Sequence, residues 1–301
     1  MRELRRSFEQ GGIAEVNEHI EDSRFLSQSA SFMWGIIQRL TGIPKFAKEV
    51  ERAEKRIGEI GLGPAMREVA SKFGLEVCVD KQPDWAKQSG QSTLVYGNHD
   101  TRNEPLILAS VLDCNDALAV GGAQFKKIGP NVGTHFLPVY SKKYARGQRD
   151  DLNLIARLLY GKDVGVNENE AHQITAESLG KASELLGQGW LVNMYPTDAE
   201  PIDSKWRAGL GRIITNLPAD IDRSKVLLVP MNVDHLDTKQ FLFNVRNVSA
   251  TGAKPRPLTV KVKFGQGIPL NSLDKNLPPE QIVEVLRDDY LKQFGKKSSK
   301  K

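Results

Sequence analysis

Only two cysteines, Cys78 and Cys114, occur in 301 residues, and neither stands at metal-ligand spacing from the other or from any of the five histidines. Both sit in apolar or strand-like surroundings, so buried free thiols are expected, with no bound metal. Long apolar runs are missing too. The best candidate, Phe32 to Ile37, is cut off by Gln38 and Arg39, far short of the roughly 18 to 20 residues that cross a bilayer. Met1 to Arg6 carries charges of both signs and no apolar core, which is unlike a secretory signal and points to the cytoplasm. No G-x-G-x-x-G follows a strand and no P-loop lysine occurs, so no redox or nucleotide cofactor is implied. A G-x-S-x-G elbow is also lacking, which argues against a serine acyl-enzyme. Finger spacings, aromatic-interleaved basic strands and internal repeats are absent, and nucleic acid is not an expected partner. The net charge of +5 is modest, and part of it comes from the terminal Lys296-Lys297-Ser298-Ser299-Lys300-Lys301, which reads as a solvated basic tail.

What is present has the order of an α/β protein. Residues 1–74 read as a helical subdomain. Phe25 to Val50 carries a broad apolar stripe interrupted at Gly42 and Pro44, and Pro64 to Phe73 places Met66, Val69 and Phe73 on one side. The Phe32 to Ile37 face is expected to dock on the rest of the protein; peripheral contact with a membrane inner face is its alternative use. Residues 75–295 alternate strands with helices. Strands are expected at 75–79, 92–96, 117–120, 134–140, 190–195, 226–233 and 258–264, and helices at 105–113, 150–160, 169–187, 206–216 and 279–294. Such alternation predicts a mixed, largely parallel sheet covered by helices, with ligands gathering at the carboxyl ends of the strands.

One strand ends in a chemically suggestive run, Tyr96-Gly97-Asn98-His99-Asp100-Thr101-Arg102-Asn103-Glu104-Pro105. Gly97-Asn98 is turn chemistry, and Pro105 stands where a helix would begin. A neutral imidazole at such a strand end can take a proton from a hydroxyl. A carboxylate on its other ring nitrogen fixes the tautomer and stabilises the imidazolium. The same residues also suit a plain helix start, with Asp100 or Asn103 as cap and Glu104 at the helix dipole. Spacing alone decides little, because His172 and Glu177 repeat it inside a polar helical segment that reads as a solvated face.

Asn98-His99, Thr101 and Glu104-Pro105 resemble the first block, NH-x4-D-P, of the glycerolipid acyltransferases that act on glycerol-3-phosphate and lysophosphatidate, with Glu in place of Asp. Three further blocks follow in the family's order. Gly133 to Tyr140 matches the second, although Tyr140 and Ser141 stand where the family has arginine and Lys142, Lys143 and Arg146 come later. Tyr195-Pro196-Thr197-Asp198-Ala199-Glu200 takes the place of F-P-E-G-T-R and keeps only the aromatic-proline pair, with Lys205 and Arg207 downstream as candidate cations. Val226 to Val233, a strand carrying Pro230, matches the fourth. The resemblance spans about residues 92–235.

It implies a glycerol-3-phosphate acyltransferase-like fold and an O-acyltransferase that uses acyl-CoA or acyl carrier protein as co-substrate, with no resident cofactor. His99 would be the general base and Glu104 its orienting acid. Asn98, Thr101, Arg102, Lys142, Lys143, Arg146, Thr197, Lys205 and Arg207 would line the site for a glycerol-phosphate or lysophospholipid-type acceptor. A catalytically silent lipid- or carrier-binding relative and a thioesterase are the competing expectations.

Overall fold

A computed structural model describes residues 43–80, 83–84, 92–99, 104–112, 115–122, 129–140, 168–197, 202–234 and 236–295. Its centre is an eight-stranded mixed sheet made of β1 (Leu75–Val79), β2 (Thr93–Gly97), β3 (Ala117–Gly122), β4 (Phe136–Val139), β5 (Leu191–Met194), β6 (Leu227–Val233), β7 (Leu258–Phe264) and β8 (Ile268–Pro269). The strand order is β1-β7-β6-β2-β5-β3-β4, with β8 paired to β6 outside that path. Strands β6, β2, β5, β3 and β4 run parallel; β7 and β8 are antiparallel to β6, and β1 is parallel to β7. The protein is therefore α/β with a mixed, mostly parallel sheet.

Position in the sheet explains the composition of each strand. The central strands β2 and β5 are buried along their whole length, as expected where helices cover both faces. The edge strand β1 alternates, with Leu75, Val77 and Val79 towards the core and Glu76 and Cys78 outward. Cys78 is consequently exposed, not buried as its apolar neighbours suggested; Cys114 lies outside the described residues. Pro230, in the middle of β6, has no N–H for a ladder. The Leu227 and Val233 N–H groups point towards β2, so the Pro230 nitrogen points the other way, between the pairings with β8 at Leu228 and with β7 at Met231. The position has no strand partner that needs its hydrogen.

Helices close both faces. One face packs against α1 (Ile43–Ile60), α2 (Leu62–Lys72) and α3 (Glu104–Val111), the other against α5 (Glu168–Gly187), α6 (Gly209–Thr215) and α8 (Pro279–Phe294). Ile57, Leu62, Ala65, Ala70 and Phe73 share one core with Val95, Ile107, Val229 and Val260, so the described N-terminal helices dock on the sheet. Polar ties fix them. The Arg67 guanidinium donates to the Leu112 carbonyl at the end of α3 (2.9 Å), and the Leu62 N–H donates to Asn115 Oδ1 (3.1 Å). Glu54 accepts from the N–H groups of Asn131 and Val132, in the first turn of α4 (Pro130–Thr134). That short helix, opened by Pro130, runs to Thr134, where a strand was expected to begin, and β4 starts only at Phe136.

A second helix escaped the sequence pattern, α7 (Thr238–Thr251). It is capped by Asp237, whose carboxylate accepts from Gln240 N–H at 3.0 Å, and it ends at Gly252 in the left-handed region (φ 70°). The expected helix at 150–160, the Phe32 to Ile37 face and the basic tail 296–301 lie outside the described residues.

Two glycines should respond to alanine with opposite signs. A methyl group at Gly63 would lie 2.0 Å from the Leu112 carbonyl oxygen, whereas at Gly180, inside α5, it would meet nothing within 4 Å. Gly63→Ala should cost about 1–3 kcal/mol by overpacking, and Gly180→Ala should gain about 0.5–1 kcal/mol. Urea unfolding midpoints of the two variants check both; equal shifts would contradict the docking seen at α2.

Candidate active site

The site grows out of β2. Leu94 and Tyr96 face the α5–α8 layer and Val95 the α1–α3 layer, so the alternation carries His99 out on the α3 side. Gly97 is needed at the last strand position, since a Cβ there would lie 2.0 Å from the Met231 carbonyl oxygen. Asn98 then extends the ladder with its side chain. Its Oδ1 accepts from Val233 N–H (3.0 Å) and its Nδ2 donates to the Val233 carbonyl (3.1 Å). The amide thereby clamps the end of β2 to the end of β6, which gives Asn98 a framework role.

Glu104 is the first residue of α3, fully buried at 0% exposure, with Ile107, Leu108 and Val111 of the same helix seated in the core. Its Oε2 lies 2.9 Å from His99 Nδ1. An ionised carboxylate only accepts, so against one Nδ1 is the donor, and the neutral imidazole with that tautomer has its lone pair on Nε2. The imidazole is 21% exposed, enough to be reached from outside while its partner is shielded from water. His172 behaves otherwise: it is exposed on α5 and faces Glu168 at 3.8 Å, while Glu177 accepts from Gln173. Identical sequence spacing thus gives a bonded pair with a buried carboxylate in one place and a solvated helix face in the other.

Tyr195, just past the carboxyl end of neighbouring β5, lies over His99. The ring centroids are 4.6 Å apart and the planes differ by 14°. Its hydroxyl is buried without a hydrogen bond. Burial and the nearby Glu104 charge push the phenol well above its ordinary value of 10.0; the Asn193 side chain tempers the rise without reaching hydrogen-bond geometry. Asn193 donates to the Val95 carbonyl (3.1 Å) and so ties β5 to β2 as Asn98 ties β6. Neither Tyr195 nor Asn193 was singled out from the sequence. The aromatic-proline pair marked the first, but only the sheet order shows that β5 borders β2.

Other candidates divide clearly. Thr197 is buried beside this loop with an unpartnered Oγ1. Lys205 and Arg207 are exposed, and the Arg207 N–H donates to the Pro196 carbonyl (3.0 Å), which holds their segment against the end of β5. Trp206 between them turns inward, its Nε1 donating to the Ile202 carbonyl at 2.8 Å. Thr101, Arg102, Lys142, Lys143 and Arg146 lie outside the described residues. No metal-ligand cluster occurs among the described residues. A cavity of about 460 Å³ beside His135 and Asn131 belongs to a different place, the amino ends of β3 and β4. There His135 Nδ1 meets the Ala117 carbonyl at 2.8 Å.

No family model and no curated protein matches the chain. Among solved structures it is similar to the 1-acyl-sn-glycerophosphate (LPA) acyltransferase PlsC from Thermotoga maritima, at 12% identity and a TM-score of 0.42, over 87% of this chain and 92% of that one.

The buried phenol has a measurable consequence. With its folded-state pKa above the unfolded value of 10.0, Tyr195 keeps its proton in the folded protein while the unfolded chain loses it. Its contribution is present below pH 10 and is lost as pH rises beyond it, with a slope of up to about 1.4 kcal/mol per pH unit. Tyr195→Phe should leave stability at pH 7 unchanged or higher, since it removes an unpaired hydroxyl, and should flatten the decline above pH 10. Urea titrations at pH 7 and pH 10.5 test this; an unaltered alkaline slope would contradict the buried hydroxyl.

Proposed function

We propose that the protein transfers an acyl group from an acyl thioester, of coenzyme A or of acyl carrier protein, to a hydroxyl of a glycerol-phosphate or lysophospholipid-type acceptor. One observation carries the reading: the His99–Glu104 pair at the carboxyl end of central strand β2, its carboxylate buried and its imidazole accessible. The ordered motif blocks behind it supply the class of reaction.

His99 Nε2 takes the proton of the acceptor hydroxyl as the oxygen attacks the thioester carbonyl. Glu104 holds the Nδ1–H tautomer and stabilises the imidazolium. The tetrahedral intermediate then collapses: the C–S bond breaks, the ester C–O bond remains, and the imidazolium returns its proton to the leaving thiolate. Tyr195 stacks beneath the ring and limits its rotation, so that Nε2 keeps its direction. Thr197, Lys205 and Arg207, with Thr101, Arg102, Lys142, Lys143 and Arg146, are proposed to contact the acceptor. Glu200 stands in place of the family's third-block arginine, so charge for a phosphate must come from those cations.

Thiol release from long-chain acyl-CoA, measured across a panel of lysolipid and glycerol-phosphate acceptors, tests the proposal. Release should require acceptor, should fall by about 10²–10⁴-fold in His99→Ala, and should persist in Glu104→Asp. Release without acceptor would identify a thioesterase instead. Acyl-CoA binding with no release would identify a silent binding module, and equal activity in His99→Ala would remove His99 from the site.

A further inference from the structure

Large apolar side chains exposed to solvent are few among the described residues: Leu242 (54%), Phe243 (44%) and Val285 (40%). The first two are adjacent on α7. That helix buries Phe241 and Asn244 and turns Leu242, Phe243 and Arg246 outward. Asn244 anchors it, donating to the Phe73 carbonyl (2.9 Å) and the Arg256 carbonyl (2.7 Å), while Phe241 packs edge-on against Phe73. The exposure of Leu242 and Phe243 is thus imposed by a well-seated inner face.

The segment that carries this pair is charged with one sign only, although α1, on which α7 packs, carries acids as well as bases. From Thr238 to Leu273 the sequence holds six cations and no acid, against a net +5 for the entire chain. Four of these cations, Lys239, Arg246, Lys254 and Arg256, lie on α7 or the turn after it, all exposed. None is in an ion pair with a described carboxylate. The acid that precedes this segment in sequence, Asp237, caps the helix. Arg256 sits over the Phe243 ring, 5.4 Å from its centroid, so cation and apolar group form one patch. A protein partner with an apolar groove would explain Leu242 and Phe243 but not the four exposed cations on the same helix and the turn after it. A bilayer surface rich in anionic headgroups accounts for both, with the side chains entering the acyl boundary and the cations meeting phosphates.

We propose that the outer face of α7 is a docking surface for an anionic lipid bilayer. The helix begins five residues after Val233, the residue clamped by Asn98, so its first turns lie at the end of the sheet that carries His99. Docking through this face would hold the site's end of the sheet near the lipid. Vesicle binding is read without turnover, so this proposal stands or falls separately from the acyl-transfer reading.

Co-sedimentation of the full chain with vesicles of phosphatidylglycerol and phosphatidylcholine, against pure phosphatidylcholine, tests it. Binding should need the anionic lipid and weaken as salt rises from 50 to 500 mM. Leu242→Ser with Phe243→Ser should weaken partitioning about tenfold or more, and Lys239→Gln, Arg246→Gln, Lys254→Gln and Arg256→Gln about fivefold each. Val285→Ser, an exposed apolar change away from the patch, should leave it unaltered. Circular dichroism checks that each variant is folded. Equal binding to both vesicle types, or parental binding in the Leu242→Ser/Phe243→Ser variant, overturns the proposal. So does binding lost only when the lysines of residues 296–301 become glutamine. A concentration-dependent dimer that the same α7 changes abolish, without vesicle binding, would give the face to a second copy of the chain.

Discussion

The end of β2 is where the architecture and the candidate chemistry meet, and the Asn98 amide holds it there. A parallel strand at the middle of a sheet runs out of ladder partners at its carboxyl end. The next backbone groups must find water, a side chain or a neighbouring strand. Asn98 resolves this by pairing both ends of its amide with Val233 on β6, while Asn193 makes a comparable tie from β5 to β2. The three strands are thus fixed relative to one another where His99 leaves the sheet. Gly97 permits the approach, since any Cβ there would meet the β6 backbone.

Given that fixed end, the imidazole is restrained from two directions. Glu104 approaches in the plane of the ring from the first residue of α3, and Tyr195 covers one face from the end of β5. A buried carboxylate is costly unless hydrogen-bonded, so its place at the first residue of a helix and against an imidazole proton is coherent energetically. The same arrangement leaves Nε2 as the ring nitrogen not engaged by the carboxylate, on an imidazole that stays partly exposed. A site built this way has a floor of three tied strands, and the candidates Thr197, Lys205 and Arg207 lie on the segment that follows β5.

The covering helices have a second consequence. α7 packs its inner face against Phe73 and the sheet, and this leaves Leu242 and Phe243 exposed among cations that pair with no described carboxylate. No helix among the described residues is long and apolar enough to cross a membrane. The bilayer contact proposed for α7 is an interfacial one, and the exposure it uses follows from burial forced elsewhere in the helix.

Much of the fold was legible in one dimension because its signals are local. β1, β7 and α8 appear over the residues their patterns indicated, and β2, β5, β6 and α5 agree to within a residue at each end. The elements that were missed have weak local signals. α7 mixes two outward apolar residues with an inward Asn244, which blurs its periodicity, and α4 is a single turn whose N-terminal amides are met by Glu54, far away in sequence. Cys78 looked buried because its neighbours are apolar, yet an edge strand turns alternate residues outward. The residues alone determined the alternation of strands and helices, and they singled out His99 and Glu104 as partners. Tertiary structure alone decided that His99 is bonded to a buried Glu104 while His172 stays on a solvated face away from Glu177, that Tyr195 stacks on the imidazole, and that Asn98 is a clamp. Those outcomes depend on which strands lie side by side, and strand order is set by packing across the whole chain, beyond the reach of any local pattern.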